Sequence, residues 1–300
     1  MDVVTDRGID HLVIAVRDLE KAAAAYRQLG FTTTPVAHHP WGTSNVLVQL
    51  DRFFLEIIAV TDETKLIPPT DRQFSFGSFL REFLDSDQGL AMLVFESFDA
   101  SADCAEFQRK GISSFDRFDF ERKAVLPDGS TAVVGFSLAF VAPPSMPKAV
   151  FFTCQQHAPQ YFWKPAYQTH ANGALGIGAV AMAAVNPQDL TPLMQALQGE
   201  DSVQQTDGGL HVGTARGWVD VLTPDACMAW YGDCFVDLQR DGPRFFATRI
   251  AVADLAATEA LLQQNGVPCS WCKAGLLVSP EYLYGMAIAF VQAPETPVNP

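Results

Sequence analysis

The sequence predicts an α+β fold of four βαβββ modules arranged as two halves, residues 1–170 and 171–300. Three observations predict it. A strand-then-helix unit recurs along the chain. Each copy is followed by stretches with the composition of further strands. The length of 300 residues exceeds what one ordinary core needs, since domains cluster near roughly 100–150 residues.

The first copy runs from Gly8 to Phe31: an apolar strand, Asp18 in the position of a helix N-cap, an Ala-rich amphipathic helix, and Gly30 as its stop. Gly8, Asp18 and Gly30 recur as Gly89, Asp99 and Gly111. The strongest repetition comes last, where Ala15, Val16, Asp18, Leu19, Gln28 and Gly30 recur as Ala251, Val252, Asp254, Leu255, Gln264 and Gly266. A weaker copy carries Asp189-Leu190 at the cap and Gly199 at the stop. Internal repetition is weighed before any motif because it decides the fold. The four helices are therefore expected to begin at Asp18, Asp99, Asp189 and Asp254, each side chain capping first-turn amides.

Behind each unit lie runs rich in Val, Phe, Thr and Leu, broken by turn residues. In the first module they are residues 32–40, 43–50 and 53–60, with a turn at Asp51-Arg52. In the second, a strand near 114–123 leads through a turn at Pro127-Asp128-Gly129 to strands at 131–141 and 148–156. The later strands of the third module fall at 210–215 and 217–223, and those of the fourth at 269–278 and 286–292. Two insertions interrupt the pattern, 61–87 and 158–174, and the second is read as the connection between halves.

Composition narrows the function classes. With 48% hydrophobic and 18% charged residues the chain is that of a globular protein. Its 34 acidic against 20 basic side chains, a formal charge of −14, repel phosphate backbones and anionic bilayers, so neither nucleic acid nor a membrane surface is an expected partner. No apolar run is long enough to span a bilayer, and the first ten residues lack a secretory pattern, so a cytoplasmic protein is expected. The six cysteines are dispersed, as in a protein with reduced thiols. Cys269-Ser270-Trp271-Cys272 is a solitary CxxC inside a strand and is read as structural.

The segments Asp10-His11-Leu12-Val13-Ile14-Ala15-Val16, Asp18-Leu19 and Leu55-Glu56-Ile57-Ile58 resemble the vicinal-oxygen-chelate superfamily of glyoxalases, bleomycin-resistance proteins and extradiol dioxygenases. His39-Pro40-Trp41-Gly42-Thr43-Ser44-Asn45 matches a segment leading into the third strand of a glyoxalase-like group within it. The resemblance implies two glyoxalase-like halves, each a cup formed by two modules, with a divalent metal (zinc, iron or manganese) held by the first and last strands. Alternation puts His11 on one face with Val13 and Ala15, and Glu56 with Phe54 and Ile58, two faces that can converge. The departures weigh as much: His11 recurs as Met92 and Glu56 as Cys154, neither a ligand for a hard metal. His157, Gln155 or Gln156 could substitute. In the second half the positions matching His11 are Ala247 and either Ala179 or Met182. Asp220 is the only acid in a comparable last strand, so this half is read as degenerate, without an equivalent polar pair.

The site expected from these residues has His11, Glu56 and His157 as metal ligands, Glu56 also as catalytic base, and His39, Trp41, Thr43, Asn45 and Gln156 around the substrate. The plainer alternatives are a buried His-Glu pair that satisfies two polar groups, and a polar turn at 38–45. Two functions remain open: an enzyme acting on a small organic molecule as isomerase, lyase or dioxygenase, and a metal-free protein that sequesters one. The resemblance is also compatible with a homodimer.

Overall fold

The computed structural model describes residues 7–125, 131–234 and 238–294, and the repeat becomes two eight-stranded sheets. The turn expected at Pro127-Asp128-Gly129 lies outside the described residues. The first module consists of β1 (Ile9–Ala15), α1 (Leu19–Gln28), β2 (Ala37–His38), β3 (Thr43–Leu50) and β4 (Phe53–Val60). A helix in the insertion, α2 (Phe76–Ser86), precedes the second module: β5 (Gly89–Glu96), α3 (Ala100–Arg109), β6 (Phe118–Val125), β7 (Thr131–Val141) and β8 (Val150–Gln156). A short helix α4 (Pro159–Phe162) leads to the third module, with β9 (Ala174–Ala183), α5 (Thr191–Gln198), β10 (Val203–Thr206), β11 (Gly209–Gly213) and β12 (Trp218–Leu222). Helices α6 (Pro224–Tyr231) and α7 (Leu238–Asp241) precede the fourth: β13 (Arg244–Val252), α8 (Leu255–Gln264), β14 (Ser270–Cys272), β15 (Gly275–Val278) and β16 (Ala287–Gln292).

The strand orders, β2-β3-β4-β1-β5-β8-β7-β6 and β10-β11-β12-β9-β13-β16-β15-β14, are the same pattern twice. In each sheet the first strands of two modules pair antiparallel at the centre, while each first strand runs parallel to its own module's last strand. Of residues 32–40, only Ala37 and His38 join the ladder. Pro35 and Pro40 bracket them and offer no N–H to a neighbour.

Three of the four expected caps are present. Asp18 accepts from the amide of Lys21, Asp99 from those of Ser101 and Ala102, and Asp254 from that of Ala257. Asp189 does not cap. A 3₁₀ turn at Pro187–Leu190 runs into α5, whose own N-cap position is Leu190 and carries no side-chain cap. The two prolines there, Pro187 and Pro192, each remove one first-turn N–H that a cap would otherwise satisfy.

One face of each sheet packs into a single core shared by both halves, together with α1, α3, α5 and α8. Phe31 meets Phe290 and Phe151 meets Phe245 across it. The other faces turn away from the shared core. The connection is stitched down: the amide of Thr32 donates to His170 Nδ1 (3.0 Å), His170 Nε2 donates to the carbonyl of Gln49 (2.7 Å), and Asn172 Nδ2 donates to that of Leu29 (2.9 Å). Among the described residues no helix is long and apolar enough to cross a membrane.

Two measurements check this account. Asp254→Ala removes a cap and should lower unfolding free energy by about 1 kcal/mol, whereas Asp189→Ala should leave it within about 0.5 kcal/mol, both read by urea denaturation. Burial holds the His170 pKa below the ordinary 6.5, so the unfolded chain takes up that proton first. Its contribution is complete above about pH 6.5 and is lost as pH falls toward the folded-state value. The denaturation midpoint should therefore fall between about pH 7 and about pH 5, and His170→Gln should flatten that slope.

Candidate functional site

The site begins with an irregularity in β1. Ile9 pairs with Phe95 and His11 with Val94, so Asp10 is an extra residue against β5. Ile9 and Leu12 both reach the shared core, which leaves Asp10 and His11 together on the opposite, outer face, as a β-bulge permits. There His11 Nδ1 lies 2.6 Å from Asp10 Oδ2, and Gln156 Nε2 donates to Asp10 Oδ1 at 3.0 Å. A carboxylate can only accept, so the proton of the neutral imidazole sits on Nδ1 and the Nε2 lone pair faces outward.

On β4 the alternation of strand faces brings Glu56 to the same side. Its Oε2 stands 3.8 Å from His11 Nε2, and its Oε1 accepts from Asn45 Nδ2. Asn45 in turn lies 3.5 Å from His39 Nε2, and His39 Nδ1 bonds Thr43 Oγ1 at 2.8 Å. Backbone geometry holds this arm in place. Gly42 has φ +85, and a Cβ there would stand 2.2 Å from the carbonyl of Asp62. Only glycine fits where the hairpin meets the insertion. Trp41 stacks on His39 with 4.7 Å between ring centroids and meets Phe120 edge-on.

His11, Glu56, Asn45, His39, Trp41 and Phe120 line a narrow pocket, with Asp10, Gln156 and Thr43 behind them. Its polar corner is His11, Glu56, Asn45 and His39, and its walls are largely aromatic, including Phe54, Phe136 and Phe152. Phe54 stacks on the His11 ring at 4.2 Å. Insertion 61–87 supplies Phe76 from α2, and the connection supplies Phe162 from α4. Thr43 supports His39 from the hairpin, and Gln156 backs Asp10. Asp10 was not among the expected site residues. Strict alternation sends it to the core face, and only the bulge brings it round.

His157 is not brought to this cluster. Phe136 and Leu138 of β7 line the pocket, so Ser137 between them points to the other face of the sheet. His157 Nε2 bonds Ser137 Oγ there, at 2.8 Å. Its expected role as a metal ligand fails on that geometry.

The remaining donors do not complete a resident metal centre. Met92 is fully buried among apolar side chains. Burial, with Asp10 and Glu56 nearby, pushes the Cys154 thiol well above its ordinary pKa of 9.0 and keeps it protonated. Among the described residues no three His, Cys, Asp or Glu side chains are grouped so as to hold a metal ion. His11 and Glu56 alone supply two ligands where a structural or catalytic site needs three or four.

The second half does carry a polar cluster, contrary to expectation. His211 Nδ1 lies 2.7 Å from Asp220 Oδ1, and Arg249 bonds the other carboxylate oxygen. It differs in kind from the first. Phe246 occupies the bulge that corresponds to Asp10, with Ala247 after it. Tyr231 and Ala226 of α6 are buried against an alanine surface that includes Ala181, Ala247 and Ala289. Side chains of α6 thus pack on the outer face of the second sheet.

No curated protein matches the chain. Among solved structures, a hypothetical protein from Staphylococcus aureus superposes with a TM-score of 0.64 at 11% identity, covering 96% of this chain and 100% of its own. A triple-substituted variant of 4-hydroxymandelate synthase from Streptomyces coelicolor superposes with a TM-score of 0.56 at 14% identity, covering 88% of this chain and 76% of its own. At such identities the likeness concerns the fold. A family model, described as a glyoxalase-like domain, matches residues 9–198, which include every residue of the first-half pocket. With more than half of its length so matched, the chain belongs to the glyoxalase-like domain family.

Proposed function

We propose that the protein is a glyoxalase-like enzyme that binds a small organic molecule in the first-half pocket and moves a proton on it, as an isomerase or lyase does. The observation that carries this reading is the Asp10–His11 pair, 2.6 Å apart, with His11 Nε2 presented 3.8 Å from Glu56 Oε2. Asp10 fixes the tautomer and orientation of the ring, and would stabilise the imidazolium formed when Nε2 takes a proton. Glu56, on the other side of the same gap, is a second acceptor for the group that gives or regains that proton. Phe54 and Phe152 flank the ring and limit the access of water. Nothing in this chemistry needs a metal-activated oxygen, and the donor set favours the isomerase or lyase reading over the dioxygenase one.

A second reading, a protein that sequesters its ligand unchanged, draws support from Met92 and Cys154. They replace the other half of the family's ligand positions with groups that do no proton chemistry.

Deuterium incorporation separates the two. Ligands found by quenching of Trp41 fluorescence should gain deuterium at one carbon when incubated with the protein in D2O. Asp10→Asn and Glu56→Gln should each slow that exchange by about a hundredfold or more. Saturable binding with no exchange in any ligand would favour sequestration. Elemental analysis of protein purified without chelator or affinity-tag metal should find less than one divalent ion per chain. A stoichiometric metal that disappears in His11→Ala would overturn the proton-transfer reading.

A further inference from the structure

The atoms left unspent at the polar corner are nearly all of one kind. Glu56 Oε1 is taken by Asn45 Nδ2, while Oε2 faces His11 Nε2 at 3.8 Å, beyond hydrogen-bond reach. His11 has given its proton to the Asp10 side, so Nε2 too is an acceptor. The amide oxygens Asn45 Oδ1 and Gln156 Oε1 are buried without partners. Their orientation is forced, because each amide nitrogen must face a carboxylate, that of Glu56 or of Asp10. Three acceptors of the pocket wall, Glu56 Oε2, His11 Nε2 and Asn45 Oδ1, with Gln156 Oε1 behind them, thus stand against Trp41 Nε1 and the weak thiol donor of Cys154. A buried acceptor without a donor is destabilising, so the surplus points to an occupant that brings donors.

The charge points the same way. Glu56 lines this corner with the Asp10 carboxylate directly behind His11, and among the described residues no Lys or Arg lines the pocket. A ligand carboxylate or phosphate would add acceptors to acceptors and negative charge to negative charge. The ring faces of Trp41, Phe54 and Phe152, by contrast, are electron-rich surfaces that attract a cation. Asn45 is 4% exposed and its Oδ1 is fully buried, so it is not satisfied by bulk water.

Resting on the reading that the first-half pocket binds a small molecule, we propose that its ligand is an amine, bound as an ammonium ion on an apolar body. The N–H groups meet Glu56 Oε2, His11 Nε2 and Asn45 Oδ1, and the body lies against the phenylalanine walls.

Calorimetric titration of the full chain with three probes of one size tests this: benzylamine as its ammonium ion, benzyl alcohol, and benzoate. Benzylammonium should bind about tenfold or more tightly than benzyl alcohol, and benzoate weakest of the three. Glu56→Gln should bring benzylammonium to within about twofold of benzyl alcohol. An unaltered near-ultraviolet circular-dichroism spectrum of that variant shows that the fold is kept, and Asn45→Asp, which adds a charge at the same corner, should raise the preference for benzylammonium. Equal or tighter binding of benzyl alcohol or benzoate overturns the amine while the pocket reading stands. A benzylammonium preference unaltered in Glu56→Gln overturns it as well. Failure of all three probes to bind overturns both readings. A stoichiometric divalent metal whose removal is needed before benzylammonium binds would make the cation of this corner a metal, and would also overturn the amine.

Discussion

The antiparallel pairing of two first strands, β1 with β5 and β9 with β13, is the constraint on which the rest depends. It fuses two modules into one sheet and sets which side chains from each can meet. The pairing is not regular. The first pair carries two bulges, at Asp10 and Ala91, and the second carries three, at Phe246, Gly178 and Leu175. The bulge on β1 puts two consecutive side chains on the same face, and there an acid and an imidazole become a single functional group. The bulge on β13 presents Phe246 and Ala247 instead, and the space beside them is taken up by α6. Two halves with one backbone plan thus differ because of the residues placed at one irregular position.

Much of this was legible in the sequence because the repeat is marked by physical punctuation. The acids Asp18, Asp99 and Asp254 and the glycines that end the helices fixed the module boundaries, and period-two alternation put His11 and Glu56 on converging faces. Asp10 was not legible by the same rule, since a bulge breaks the period on which the rule rests. The one available sign was an acid which, counted strictly, faces a wall of Ile and Leu. His157 departs from expectation for the opposite reason. The alternation that places Cys154 and Gln156 on the pocket face sends His157 to the other side, so nearness in sequence does not bring it to the site. The docking of α6 was written in Ala181 and Ala183, and again in Ala287 and Ala289. Small side chains at every second position leave room for a helix to dock, but the sequence does not say whether a helix or a ligand takes that room.

The polar corner also shows how an apolar site keeps a carboxylate. Glu56 is retained by one firm hydrogen bond from Asn45 and by a histidine held at arm's length, an arrangement that leaves half of its capacity unused. Residues 39–45 supply much of that support through a hairpin fixed at Gly42, so the hairpin belongs to the site as much as the strands do.

The shared core has a consequence for how the two halves can be treated. Its residues come from the inner faces of both sheets, with Phe31 against Phe290 and Phe151 against Phe245. A half cut free would expose a broad sheet of Val, Ile, Leu and Phe to water, a surface that invites aggregation. The halves are therefore repeats in pattern but not modules that can be exchanged. The second half is the wall against which the first is built, and a graft that carried the pocket alone to another protein would leave behind the face that covers its core.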